Sequence, residues 1–131
     1  MAATQKAAVN GTRELERLAQ RGWRLLPCVA GGKTPLLKRW PALASSDLVT
    51  VKVWAAQYPN CNWGMATGAV SGVFVLDVDG EAGRASLAKL EAQYGPLPVT
   101  LTSRTGRVDG GEHRWFNFPV GFAFESVTFR T

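Results

Sequence analysis

Residues 73–80 read Val-Phe-Val-Leu-Asp-Val-Asp-Gly, and this stretch carries the strongest structural signal in the sequence. The apolar run before the acids predicts a buried strand over 73–79. Side chains alternate across a strand, so Asp77 and Asp79 share one face, with their Cα atoms about 7 Å apart. Two carboxylates at that spacing can converge on hard divalent cations, which prefer oxygen ligands. The pattern favours a metal site, although two acids at a strand end also fit a solvated edge or a turn.

Two other kinds of protein carry acids in a similar local pattern. Phosphatases of the haloacid dehalogenase type, which use an aspartate nucleophile, resemble residues 73–80 but usually place Thr after the glycine, where this chain has Glu81. Calcium-binding EF-hands need a helix before the acidic loop and a different ligand pattern after it. Neither alternative fits the sequence well.

A second segment holds the only histidine, His113, directly after the turn that contains Gly110 and Gly111. Glycines allow backbone N–H groups to approach a phosphate, and Arg104 and Arg107 add positive charge to the same loop. This composition fits a phosphate-binding loop. It fits equally well a histidine packed on a sheet after a flexible turn.

The remaining periodicity predicts helices and strands in alternation, which indicates an α+β fold, a sheet with flanking helices, in a single domain over 1–131. Residues 46–58 match both a strand and a helical stripe, and Ser46 with Asp47 makes a good helix start, so a helix is predicted there. A strand that contains Pro27 is restricted to the edge or the end of a sheet. Further helices are predicted after Thr12 and over 81–94, and further strands over 23–29, 62–66, 99–103, 112–118 and 123–129.

Charge and composition limit the class of protein. Hydrophobic residues make up 46% of the chain and the formal net charge is +5, with nine basic and three acidic residues in 1–58. A basic half favours polyanions, although an ordinary solvated surface is equally compatible. The sequence shows neither an apolar run of membrane-spanning length nor a secretory signal, so no membrane and a cytoplasmic location are expected. Cys28 and Cys61 are then expected to be reduced thiols.

The segment Gly32-Lys33-Thr34 resembles the end of a P-loop. The motif needs an earlier glycine where this chain has Pro27, and Pro35 prevents the helix that should follow, so a P-loop is rejected. Lys33 is kept as a candidate phosphate contact, with a surface lysine in a turn as the alternative.

Taken in order, ten short pieces of the sequence form a larger pattern. They are Gly22-Trp23, Gly32-Lys33-Thr34-Pro35, Trp40, Asp47, Trp54, Pro59-Asn60-Cys61-Asn62-Trp63-Gly64, Thr67-Gly68, Ser71-Gly72, Val75-Leu76-Asp77-Val78-Asp79-Gly80 and Gly110-Gly111-Glu112-His113-Arg114-Trp115-Phe116. Over residues 15–119 this order resembles the N-terminal bifunctional primase/polymerase domain of the archaeo-eukaryotic primase superfamily.

The resemblance implies a catalytic core in which Asp77 and Asp79 bind Mg²⁺ or Mn²⁺. It further implies that His113, with Gly110 and Gly111, contacts the nucleotide phosphates, and Lys33 is added as a candidate nucleotide contact. The implied enzyme is a DNA primase/DNA polymerase, a nucleotidyltransferase that uses (d)NTPs on a DNA template in replication, as in plasmid or phage replication. A helicase domain or protein is an implied partner.

The family's third motif, an apolar residue followed by an acid, comes well after the histidine. Phe124-Glu125 has this form but lies early, so the core is expected to be incomplete at its C-terminus and to make little primer by itself. A non-catalytic module for nucleic-acid binding or replication assembly is the alternative from another class. The phosphatase remains a more distant one.

Overall fold

The computed structural model describes residues 2–5, 11–124, 126 and 128, with the backbone alone for residues 2–5. The chain divides into two compact units, Met1–Gly72 and Val73–Thr131. Each unit contains one three-stranded antiparallel sheet and at least one helix. The expectation of a single domain over 1–131 stays a prediction.

The first unit is built on a sheet in which β3 (Asn62–Ala66) lies between β1 (Ala2–Gln5) and β2 (Arg24–Cys28). Its strand β2 lies at an edge, as the presence of Pro27 predicts, because proline has no N–H to donate to a second neighbour. The Pro27 carbonyl accepts a hydrogen bond from the Leu36 N–H at 3.0 Å. The elements of this unit are β1 (Ala2–Gln5), α1 (Gly11–Gln20), β2 (Arg24–Cys28), α2 (Trp40–Leu43), α3 (Leu48–Gln57) and β3 (Asn62–Ala66).

The core of the first unit forms where β2 and β3 meet the segment around α2. Leu26 and Cys28 of β2 are fully buried and cluster with Ala44 and Ala66, and Trp40 packs against this cluster. Trp63 of the same sheet is also buried. Burial of apolar surface at this cluster stabilises the unit.

Residues 46–58 match both a strand and a helix by sequence. Within this segment, Leu48–Gln57 form the helix α3. Asp47 is its N-cap: the carboxylate accepts hydrogen bonds from the N–H of Thr50 at 3.1 Å and from its hydroxyl at 2.8 Å. These hydrogen bonds stabilise the ionised form and lower the pKa of Asp47. The capping residue thus confirms the helical interpretation.

The second unit is built on a sheet in which β6 (Gly111–Asn117) lies between β4 (Val73–Asp79) and β5 (Thr102–Arg104). Helix α4 packs closely on β4, since a Cβ atom at Gly83 would lie 3.5 Å from Cγ1 of Val78. Val78 is buried on the face opposite the two acids of the strand. The elements are β4 (Val73–Asp79), α4 (Gly80–Tyr94), β5 (Thr102–Arg104) and β6 (Gly111–Asn117).

The α+β class is confirmed, and the strands fall into two small sheets. Several details differ from the sequence prediction: β1 (Ala2–Gln5) and α2 (Trp40–Leu43) were not predicted, and the burial of β4 and the segment after β6 also differ. Strand β4 is half-buried along most of its length, with only Val73 and Val78 buried. Its sheet has three strands, and α4 is the one helix among the described residues of the second unit. The described residues within 123–129 form no strand. Within the described ranges, no helix combines the length and the apolarity of a membrane span.

Candidate metal and nucleotide site

The centre of the candidate site is a row of three side chains across the second sheet. Asp77 of β4 is registered with His113 of β6, and His113 with Ser103 of β5. Directly opposed residues of antiparallel strands project from the same face, so these side chains are neighbours. Asp77 Oδ1 lies 3.4 Å from His113 Nε2, with side-chain exposures of 31% and 19%. The two residues that the sequence placed in separate motifs are therefore in contact.

Asp79 extends this row at the end of β4. It is registered with Gly111 and occupies the same face as Asp77, two residues earlier. Its side chain is 49% exposed, and its Oδ2 atom lies 3.8 Å from Arg107 Nη1. The two carboxylates are consequently on one face and accessible to solvent, as the alternation in residues 73–80 predicts.

A backbone hydrogen bond connects the loop between β5 and β6 to the start of α4: the Gly80 N–H donates to the Gly110 carbonyl at 2.8 Å. A second one joins the two ends of the loop, where the Thr105 N–H donates to the Gly111 carbonyl at 3.0 Å. Gly110 has a φ of 79°, in the left-handed region that favours glycine. A Cβ atom on Gly110 would lie 3.2 Å from Arg84 Nη1, so a second guanidinium lies beside this turn.

Within the loop, Arg107 and Asp109 form a two-point ion pair. Arg107 Nε donates to Asp109 Oδ1 at 2.8 Å and Nη2 donates to Oδ2 at 2.9 Å. These hydrogen bonds from Arg107 lower the pKa of Asp109, and the same contacts with Asp109 raise the pKa of Arg107. Gly80 makes room for this pair, because a Cβ atom there would collide with Asp109 Oδ2.

Gly111 is required by packing against Thr105. A Cβ atom on Gly111 would collide with Thr105 Oγ1, which is buried and has no hydrogen-bond partner in the described part of the chain. We expect Gly111→Ala to lower the free energy of unfolding by about 1–3 kcal/mol, the range for overpacking. Thr105→Ala, which removes the hydroxyl, should restore most of that stability in the double variant.

The matched control for this pair is Gly106→Ala. No heavy atom lies within 4 Å of a Cβ atom there and φ is not positive, so stability should change little. Urea unfolding of the four variants measures these differences. Two results would contradict the packing explanation: an equal loss of unfolding free energy in Gly106→Ala and Gly111→Ala, or no recovery of stability in the Gly111→Ala/Thr105→Ala double variant.

Among the candidate residues from the sequence, the second unit contains Asp77, Asp79, Gly110, Gly111 and His113. Lys33 belongs to the first unit, exposed in the connection between β2 and α2, and its role as a nucleotide contact stays a prediction.

Two further assignments of the sequence analysis concern Arg104 and Glu125. Arg104 is registered with Glu112, on the face of the sheet opposite His113, so the sheet does not bring it to the row. Glu125, which has the local form of a third motif, lies outside the described residues.

Sequence reasoning missed Thr105, Arg84 and Asp109. The available signal was the Arg-x-Asp spacing of Arg107 and Asp109 in a short glycine-rich loop, where opposite charges two residues apart can pair. The packing of Thr105 against Gly111 has no such signal, because it depends on the path of the loop.

The carboxylates are the groups that a divalent cation would use. Asp77 and Asp79 supply oxygen donors on one solvent-accessible face, which is the donor type that Mg²⁺ and Mn²⁺ prefer. In the described part of the chain, no group of three or more His, Cys, Asp or Glu side chains has a metal-binding arrangement. The two aspartates therefore fit a hard cation as a pair of ligands.

The second sheet therefore brings together paired aspartates, a histidine and a glycine-rich loop. The family model described as "Bifunctional DNA primase/polymerase, N-terminal" (Prim-Pol) matches residues 15–131. The chain belongs to this family, which confirms the resemblance inferred from its motifs. Neither the curated proteins nor the solved structures contain a match to the chain.

Proposed function

We propose that this chain carries the metal- and nucleotide-binding part of a DNA primase/polymerase, a nucleotidyltransferase that joins (d)NTPs on a DNA template in replication. The observation that carries the proposal is the contact between Asp77 and His113, which brings the family's first two motifs side by side. Membership of the Prim-Pol family supports it.

Asp77 and Asp79 are the residues that would hold Mg²⁺ or Mn²⁺. A bound divalent cation would neutralise triphosphate charge and favour ionisation of the attacking 3′-hydroxyl. The aspartates themselves keep negative charge at the end of β4, close to the start of α4 and to the β5–β6 loop. A cation held there would bring the triphosphate close to the donors of that loop.

His113 is the proposed phosphate contact. Its Nε2 atom faces Asp77, so a nucleotide whose phosphates lie near the aspartates is within reach of the imidazole. The adjacent Gly110 and Gly111 have no side chains, a composition that suits close approach of phosphate oxygens to a loop. The histidine and the loop together would hold the β- and γ-phosphates.

The first unit is the proposed contact for the DNA template. Nine basic residues against three acidic ones in 1–58 favour a polyanion through neutralisation of phosphates. Such contacts give affinity and orientation without reading the sequence of the template. Lys33, exposed in the same unit, stays a proposed nucleotide contact.

The test of the proposal is His113→Ala. We expect it to weaken binding of a dNTP in the presence of Mn²⁺ by about 1.5–3 kcal/mol, the range for hydrogen bonds to charged groups. His113→Gln keeps a hydrogen-bond donor, so its dNTP affinity should fall by less than that of His113→Ala. Isothermal titration measures the affinity, and thermal unfolding provides the control for folding.

Two results would contradict this function. A large loss of thermal stability with unchanged dNTP affinity would identify His113 as a packing residue. DNA binding by the wild-type chain without any Mn²⁺-dependent dNTP binding would favour a non-catalytic module.

A further inference from the structure

Arg107 lies between two carboxylates and contacts each with a different part of its guanidinium. The Nε and Nη2 atoms donate to Asp109 at 2.8 and 2.9 Å. The third nitrogen, Nη1, is directed to Asp79 Oδ2 at 3.8 Å. One edge of the guanidinium is therefore occupied by Asp109, and the remaining nitrogen faces a proposed metal ligand.

The loop structure defines this orientation. The Gly110 N–H donates to the Arg107 carbonyl at 3.2 Å and closes the turn that contains Asp109. Asp109 is close to the start of α4 only because Gly80 has no side chain. Since Asp109 holds Arg107 at two points, the Nη1 atom has a defined direction, toward Asp79 at the end of β4.

A guanidinium in this position has opposite effects on a cation and on a triphosphate. It neutralises Asp79, and it repels a divalent cation that approaches the same oxygen. A triphosphate, by contrast, presents anionic oxygens that match the N–H donors of arginine. The same side chain should therefore weaken binding of the cation alone and strengthen binding of the nucleotide together with its cation.

We propose that Arg107 is a nucleotide-binding residue that also serves as the counter-ion of Asp79 when no cation is bound. It neutralises Asp79 through Nη1 in the free protein and directs this end to the triphosphate when nucleotide and cation bind. The inference rests on the proposed function, because it requires a cation at Asp79 and a phosphate beside it.

The experiment is Arg107→Gln, with Mn²⁺ alone and with Mn²⁺ plus a dNTP as probes. Removal of the competing charge should tighten binding of Mn²⁺ alone by about three- to tenfold at low salt. Loss of a charged donor should weaken dNTP binding at saturating Mn²⁺ by about tenfold or more. Electron paramagnetic resonance of free Mn²⁺ and isothermal titration measure the two affinities.

Two variants serve as controls. Arg114→Gln removes an arginine charge from β6, on the face opposite His113 and Asp77, where Arg114 pairs with Glu112 at 2.8 Å. Both affinities should therefore stay near the wild-type values. Arg107→Lys keeps the charge and loses the two-point contact with Asp109. It should retain the wild-type Mn²⁺ affinity more closely than Arg107→Gln does.

The outcomes separate this inference from the proposed function. Opposite shifts of the two affinities in Arg107→Gln, absent in Arg114→Gln, would support it. Suppose that the wild type binds both Mn²⁺ and dNTP. If the two affinities of Arg107→Gln then equal those of the wild type, or both shift in the same direction, the inference alone is overturned. Absence of Mn²⁺ binding in both the wild type and Arg107→Gln overturns it together with the proposed metal site.

Discussion

The double variant Asp77→Asn/Asp79→Asn should lose binding of Mn²⁺. Both carboxylates occupy one face at the end of β4, and they are the oxygen ligands on which the proposed site depends. Asparagine keeps the size and removes the charge, so a hard cation loses its main electrostatic attraction. Mn²⁺-dependent dNTP binding should fall in parallel. This is the largest effect expected on function.

Glu112→Gln is the matched control for the double variant. Glu112 is an acid of the same sheet on the opposite face, where it pairs with Arg114. Removal of its charge should leave Mn²⁺ affinity nearly unchanged. Circular dichroism should show a folded protein for each variant. Equal Mn²⁺ affinity in the wild type and in the double variant would remove the metal site from the end of β4.

The largest expected effect on stability comes from Leu26→Ala. Leu26 is 0% exposed on β2 and packs with Cys28 and Ala44 in the core of the first unit. The truncation should cost about 2–5 kcal/mol of unfolding free energy, because it leaves a cavity as well as losing buried surface. Leu43→Ala, at a residue that is 50% exposed in α2, should cost far less.

Tryptophan fluorescence in urea is a suitable measurement for this comparison. Four of the five tryptophans, Trp23, Trp40, Trp54 and Trp63, belong to the first unit, so the signal mainly reports its unfolding. A similar loss of stability in Leu26→Ala and Leu43→Ala would contradict the assignment of Leu26 to the core.

Local sequence patterns were sufficient for most helices and strands. The strands at 62–66 and 73–79 have the predicted bounds, and α4 begins one residue earlier than predicted and ends at Tyr94 as predicted. These elements follow from the alternation of apolar residues, from turn glycines and from caps such as Asp47, all of which act between near neighbours in the chain. The order of the motifs was likewise sufficient to indicate the family.

Strand bounds near the glycine-rich loop were less predictable. The strand expected over 99–103 is Thr102–Arg104, and the one expected over 112–118 is Gly111–Asn117. Hydrogen bonds to β6 decide where β5 begins, and no local pattern contains that partner.

That Asp77 and Asp79 share a face follows from the sequence alone, because the period of a strand is two and both residues lie on one strand. The contact between His113 and Asp77 is a feature of the tertiary structure, since it depends on the register between β4 and β6, which are separated by α4 and β5. The position of Arg107 between Asp79 and Asp109 is also a feature of the tertiary structure. That arrangement arises because the β5–β6 loop is hydrogen-bonded to the start of α4, and a contact between distant segments cannot be read from the residues on either side of it.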